Sequence, residues 1–179
     1  VTPTSTATGG TVTYAWTNNN TSIGLAASGT GTIPAFTAIN AGTAPVTATI
    51  TVTPTFTNNG LSCEGTVRTY TVTVNPTATV NTVSNQVICN GSAATAVNFS
   101  TTATGGTVTY AWTNSNSTIG LSASGSGNIA SFTATNNGTA PVTATITVTP
   151  TFTNEGVSCQ GTAQIFTITV NPTATVNAI

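Results

Sequence analysis

The chain has 179 residues, of which one is Lys or Arg, two are acidic and none is His, so charged side chains make up 2% of it, against roughly 25% in a soluble globular domain. Asp, Lys and Met are absent too, and the ionisable side chains reduce to Glu64, Glu155, Arg68, three Tyr and three Cys, which leaves acid–base catalysis, metal ligation and phosphate binding almost nothing to use. A hydrophobic share of 38% excludes a charged disordered chain, no apolar run approaches the roughly 18 residues of a membrane span, and a net charge of −1 favours self-association over a partner of opposite charge.

Thr fills roughly a quarter of the chain, and its β-branched side chain suits strands. In chain order, alternation with a period of two recurs between Gly, Asn and Pro punctuation, whereas helical periodicity does not. Val12, Tyr14 and Trp16 share one parity and are predicted to face a core, with Thr11, Thr13 and Thr17 opposite. Val46, Ala48, Ile50 and Val52 alternate with Thr47, Thr49, Thr51 and Thr53, and the stretch runs on to Phe56. Pro54 cannot donate to a ladder, which predicts a sheet edge or a bulge there. After a turn at Asn58-Asn59-Gly60, Tyr70, Val72 and Val74 alternate with Thr69, Thr71 and Thr73, closing a last hairpin. Asn75-Pro76-Thr77 then forms a short linker stiffened by Pro.

The whole pattern recurs 96 positions later. Trp16 and Trp112, Cys63 and Cys159, Pro54 and Pro150, and Pro76 and Pro172 are equivalent, and residues 1–83 overlay on 97–179 with roughly 70% identity. Val108, Tyr110 and Trp112 repeat the core parity, which makes Tyr14, Trp16, Tyr110 and Trp112 core aromatics rather than platforms for sugars or bases. Between Trp112 and Phe132, Gly and Ser predict short strands and long loops with Ile119, Leu121, Ile129 and Phe132 buried. A period near 100 residues is too long for a solenoid turn or propeller blade and fits a β-sandwich of about seven strands. The expectation is an all-β chain of tandem immunoglobulin-like sandwiches: a first repeat over 1–76, N-terminally incomplete because Val1 matches Val97; a complete second repeat over 77–172; and, in 173–179, the start of a third or a linker.

Cys89 falls early in the complete repeat and Cys159 between its last two strands; if those places share a pole, a disulfide Cys89–Cys159 closes the domain and stabilises it by roughly 4 kcal/mol. Cys63, the match of Cys159, is then unpaired in this chain. Disulfides would place the protein outside the cytoplasm. Thr47, Thr49 and Thr51, copied at Thr143, Thr145 and Thr147, make a regular hydroxyl face. That face is read first as solubilising the sheet without charge, and alternatively as a surface for glycan or ice. Sequons at Asn19, Asn20, Asn90, Asn98, Asn116 and Asn137 are what chance gives in a chain so rich in Asn and Thr. Glu64 and Glu155 occupy non-equivalent positions and form no catalytic pair; Glu64 and Arg68 flank one turn as a weak surface ion pair.

Cys89-Asn90-Gly91, Tyr110-Ala111-Trp112, Ile119-Gly120-Leu121, Cys159-Gln160-Gly161 and the closing Phe166-Thr167-Ile168-Thr169-Val170-Asn171-Pro172 resemble the PKD-like, immunoglobulin-like repeats of very large surface proteins of the Bacteroidetes group. The resemblance covers the whole chain and implies a stalk segment of a cell-surface adhesin, gliding adhesins included, exported by type IX secretion. The chain lacks the Asp-Gly segment that follows the Trp in PKD domains proper, so ligand or metal roles tied to that turn do not carry over.

The expected function is therefore structural: a non-enzymatic spacer without cofactor, at the bacterial cell surface, whose partners are neighbouring repeats of the same chain and copies associating laterally or end to end. No nucleic acid is implied, and a membrane only through an anchor elsewhere. The alternatives are a glycan- or ice-binding module using the Thr face, and a short filament subunit polymerising by strand exchange.

Overall fold

The computed structural model describes residues 1–176, and the chain divides into two compact units, Val1–Pro76 and Thr77–Ile179. Unit 1 contains β1 (Thr11–Asn18), β2 (Ser28–Thr30), β3 (Val46–Asn58), β4 (Leu61–Glu64) and β5 (Arg68–Val74). Unit 2 contains β6 (Gln86–Cys89), β7 (Thr107–Asn114), β8 (Ser124–Ser126), β9 (Val142–Asn154), β10 (Val157–Gln160) and β11 (Gln164–Asn171). Among the described residues no helix is long and apolar enough to cross a membrane.

Each sheet is organised around its thirteen-residue strand, β3 or β9. β1 runs antiparallel along one side of β3, from Thr11 opposite Thr57 to Asn18 opposite Ile50, and β2 adds outside it. β5 covers the other side from Val46 to Val52, and β4 covers Thr55 to Asn58. β7, β8, β11 and β10 repeat this arrangement around β9, and unit 2 gains β6, which pairs in parallel with the end of β11.

The facing layer is extended chain rather than regular strand. In unit 2 it is held by bridges Ala93–Thr133 and Val97–Ile129, with Ala94 N–H donating to the Phe132 carbonyl at 2.8 Å. In unit 1 Ile33 N–H donates to the Val1 carbonyl at 2.9 Å. Both units are thus immunoglobulin-like sandwiches of the all-β class, with, among the described residues, five regular strands in the first and six in the second rather than about seven.

The alternation decides what is buried. Ala48 and Ile50, like Ala144, Ile146 and Val148, lose all solvent contact, while the Thr between them stay outside. Between the Trp strand and the long strand the chain makes a single 3-10 turn, Thr21–Ile23 or Ser117–Ile119, which the Gly- and Ser-rich sequence does not announce. Asn20 and Asn116 cap these turns, and each drives an Ile, Ile23 or Ile119, fully into the core. Ile119, Leu121 and Ile129 are buried as the spacing predicts, and Phe132 is half-buried.

Pro54 and Pro150 lie inside the central strands, not at a sheet edge. Tyr14 O accepts from Gly31 N–H on the β2 side, so the pair Tyr14–Pro54 exchanges no ladder bond and the proline nitrogen faces the other flank. On that flank the partner changes from β5 to β4, and only the Pro54 carbonyl is used, by Gly65 N–H at 2.8 Å. Pro150 and Gly161 repeat the arrangement, also at 2.8 Å. A residue without a donor is tolerated in mid-sheet because the ladder is interrupted where its donor would act.

The tight turn after β3 places Asn59 (φ 48°) and Gly60 (φ 80°) in left-handed backbone, as a two-residue hairpin loop of the primed type requires. In unit 2 the same turn is Glu155 (φ 47°) and Gly156 (φ 78°). Glu has no local hydrogen bond to offset the Cβ clash that Asn tolerates. Glu155→Asn is therefore expected to stabilise unit 2 by about 0.5–1 kcal/mol, read as a rise in the midpoint of thermal unfolding, while Asn59→Glu lowers that of unit 1.

Candidate functional site

Three features have the chemistry to serve as a site: the threonine face, the cysteines and a groove in unit 1. Thr47, Thr49 and Thr51 project from the outer face of β3 and meet Thr73, Thr71 and Thr69 of β5 in register. Thr17 extends the Thr51–Thr69 row across β1 to three side chains. Neighbouring rows stand about 4.8 Å apart across strands and nearly 7 Å along them. The hydroxyls also bond each other: Thr47 to Thr73 at 2.9 Å, and Thr57 to Ser62 at 2.8 Å.

In unit 2 Thr143 meets Thr169 (Oγ1 to Oγ1, 2.9 Å) and Thr145 meets Thr167, but Thr147 meets Ile165, which is 57% exposed. The second face is therefore broken at one corner by an apolar side chain. Ile165 is visible in the sequence, but only the register shows that it interrupts the hydroxyl rows.

Trp16 and Trp112 are buried, and each indole lies on a glycine of the adjacent strand, Gly29 or Gly125, where any Cβ would collide with the ring. Their Nε1 atoms are buried without a hydrogen-bond partner. Tyr14 and Tyr110 are half-buried against the same cores, and burial raises the Tyr110 phenol pKa. Phe99 tilts over Tyr110, ring centres 5.5 Å apart.

The expected Cys89–Cys159 disulfide is absent; Cys63, Cys89 and Cys159 are all free. The register gives the reason. Cys89 lies beside Asn171, one step beyond the Val170–Val142 pair at the start of β9, whereas Cys159 lies opposite Phe152 near its end. The two levels are roughly 36 Å apart along the strand at about 3.3 Å per residue, and a disulfide needs Cα atoms within about 7 Å. The cysteines sit at opposite poles, not at one. Glu64 and Arg68, opposite Thr55 and Val52, are both exposed on the surface.

The groove was not foreseen as a site. It has a volume of about 750 Å³ and is walled by Val1, Pro3, Tyr14, Val52, Pro54 and Tyr70. Pro54 and Tyr70 of its walls are only half-buried, whereas Pro150 and Phe166 are buried; Phe56, Val72 and Val74, outside the groove, are also half-buried where Phe152, Ile168 and Val170 are buried.

Buried asparagines were also missed. Asn136 donates through Nδ2 to the Ala140 and Val170 carbonyls (2.9 and 2.7 Å) and accepts from Gly138 N–H at 2.9 Å; Asn40 repeats all three contacts with Ala44, Val74 and Gly42. Asn18 and Asn114 reach the Leu25 and Leu121 carbonyls at 2.9 and 3.0 Å. Their equivalence at a spacing of 96 was the available signal.

No family profile matches the chain, and no curated protein matches it. Among solved structures it is similar to the crystal structure of human protocadherin-24 EC1-2 Form II, with 15% identity, 91% of this chain and 83% of that one covered, and a TM-score of 0.43.

Because Cys63 and Cys89 are exposed and Cys159 is partly covered, all three thiols are expected to react with a thiol reagent in the folded protein, Cys159 slowest. Alkylation followed by mass measurement reads this directly. Cys89→Ala and Cys159→Ala, singly or together, are expected to shift the unfolding midpoint by no more than about 2 °C, where loss of a real disulfide would cost roughly 2–5 kcal/mol.

Proposed function

We propose that this chain is a stalk segment of a long extracellular bacterial fibre or adhesin, a mechanical spacer with no catalytic role, as its resemblance to PKD-like surface repeats implies. The observation that carries the reading is the tandem itself: two sandwich units of nearly the same sequence, joined through the short Asn75-Pro76-Thr77 linker. A spacer needs length, stiffness and surfaces that do not react; repetition supplies the first, and a Pro junction the second. An outer surface of Thr and Asn with almost no charge supplies the third. The cell-surface location rests on the resemblance and takes no support from the cysteines.

Unit 2 also has the strand geometry that resists pulling. β6 enters its sheet and β11 leaves it as parallel neighbours, with Gln86 to Cys89 in register with Ile168 to Asn171. Tension on the two ends of the unit shears this ladder along its length, so its bonds must break together rather than one after another. Thr167 N–H to Asn85 Oδ1 at 2.8 Å and Asn90 N–H to the Asn171 carbonyl at 2.9 Å lengthen it at both ends.

A second reading, a glycan- or ice-binding face, is favoured by the hydroxyl rows of unit 1. Binding on a glycan array or thermal hysteresis, lost in Thr49→Lys, is the outcome it requires.

The stalk reading is tested by the mass of the native polypeptide that contains this sequence: many times 17.7 kDa is expected, and a mass near that value overturns it. In single-molecule stretching, unit 2 is expected to unfold at a distinct peak that Ile88→Pro, which breaks the β6–β11 ladder, reduces by at least half. An unchanged peak would remove the shear mechanism.

A further inference from the structure

We propose that the outer face of the unit 2 sheet is a self-association surface, and that its occupant is the same face of a second copy of this chain, packed about a two-fold axis. The argument rests on the geometry of unit 2 alone and holds whether or not the chain is a stalk.

One face of this sheet is closed, with Ile146, Val148 and Ile168 buried in the core. The opposite parity points outward in rows that cross the strands: Thr143 pairs with Thr169, Thr145 with Thr167, and Thr147 with Ile165. Glu155 is the one charged side chain between Thr77 and Val176, and it lies in the turn between β9 and β10, so these rows carry no charge. Sheet surfaces commonly hold charges that repel a second copy. This one has no such barrier.

Covering hydroxyls ordinarily costs the water they bind, but here part of the hydroxyl array is matched within the face. Thr143 Oγ1 lies 2.9 Å from Thr169 Oγ1, and Thr153 Oγ1 2.9 Å from Ser158 Oγ. A pair that already shares a hydrogen bond loses less on leaving water than two free hydroxyls do. Val87, beside Thr169, and Ile165 have the same outward parity and are 72% and 57% exposed. On a face without charge, such aliphatic side chains gain from being covered.

The size is sufficient. At about 4.8 Å between strands and about 3.3 Å per residue the face spans roughly 700 Å², and a stable interface takes about 600–1,000 Å² from each partner. A second copy is the fitting occupant because a flat face of short, regularly spaced side chains is its own complement. Its ridges seat between those of a like sheet turned by about 30°, as in aligned sheet packing. Such a contact is isologous and closes at the dimer. An axis near the Thr113–Thr147–Ile165 row sets the two Ile165 side chains against each other.

The test is sedimentation velocity of the 179-residue chain up to about 500 μM, a ceiling suited to a mostly polar interface of this size. A monomer–dimer equilibrium is expected. Thr147→Lys and Thr147→Glu change a side chain that points away from the core, so thermal unfolding stays near wild type. Each alone is expected to weaken the dimer at least about tenfold, because like charges meet near the axis, and an equimolar mixture of the two restores it. Ile165→Thr, which copies Thr69 of unit 1, is expected to weaken it about threefold to tenfold through lost apolar contact, whereas Thr49→Lys in unit 1 leaves it unchanged. A wild-type chain that stays monomeric at the highest concentration overturns the proposal. So does a dimer that survives Thr147→Lys, a mixture that stays monomeric, or loss of the dimer in Thr49→Lys, which would move the contact to unit 1.

Discussion

Every strand pairing in this protein depends on the alternation carried by one long strand in each unit. In β3 and β9 the side chains at one parity are Val, Ala, Ile and Val, and those at the other are Thr without exception from Thr47 to Thr57 and from Thr143 to Thr153. A slip of one residue would turn a row of hydroxyls into the core and the aliphatic row into water, so the register is fixed by burial alone. The rest follows from that choice. The Trp strand must lie beside this one for Trp16 to reach the core opposite Val52, and the last strand must lie on the other side for Val72 to face inward opposite Ala48.

A core fixed this way still has to satisfy its backbone at loops and turns, and here the near absence of charge is decisive. Where many domains use Asp caps or salt bridges, this one uses Asn. Asn40 and Asn136 tie the loop before the long strand to the last strand through two donated bonds and one accepted bond, and Asn18 and Asn114 hold the loop after the Trp strand. An amide both donates and accepts without the desolvation cost of a buried charge, so it can sit at 4% exposure, as Asn136 does. Such bonds do not weaken with salt as surface ion pairs do.

The sequence shows which side of each strand faces inward, but not which end of the sheet a residue reaches. Parity made the core positions of Trp16, Ile50, Ile146 and Trp112 legible, because period-two burial is local and repeats within a few residues. The cysteine pairing failed for the opposite reason: it depends on how far along β9 two different partner strands lie, and that offset is set by chain returning from distant positions. The prolines mark an edge or a bulge, and the register shows the second: two residues of β3, Thr53 and Pro54, face three of the returning chain between Glu64 and Arg68. A missing donor is an edge signal only if its neighbour strand is continuous, and the handover from β5 to β4 removes that condition at Pro54. The 3-10 turns were hidden because they rest on a single Asn cap and one buried Ile, too short a pattern to have a period. The parallel pairing of β6 was hidden because Gln86–Cys89 is four residues long, with too little alternation to declare a face.

The two repeats are alike enough that their differences carry information. β1 and β3 are identical in sequence to β7 and β9, and the identity runs from Gly42 to Asn58 against Gly138 to Asn154. Substitutions gather in the loops of 19–41 and at 2–5 and 67–70, and the last two stretches include walls of the groove: Pro3 stands for Phe99, Arg68 for Gln164 and Tyr70 for Phe166. In unit 2 the two phenylalanines, in one core cluster with Val80, have their rings 6.4 Å apart. In unit 1 the corresponding walls are smaller at Pro3 and bear a hydroxyl at Tyr70 and a cation at Arg68. A hydroxyl and a guanidinium on this wall tolerate contact with water, whereas the phenylalanines of unit 2 are buried.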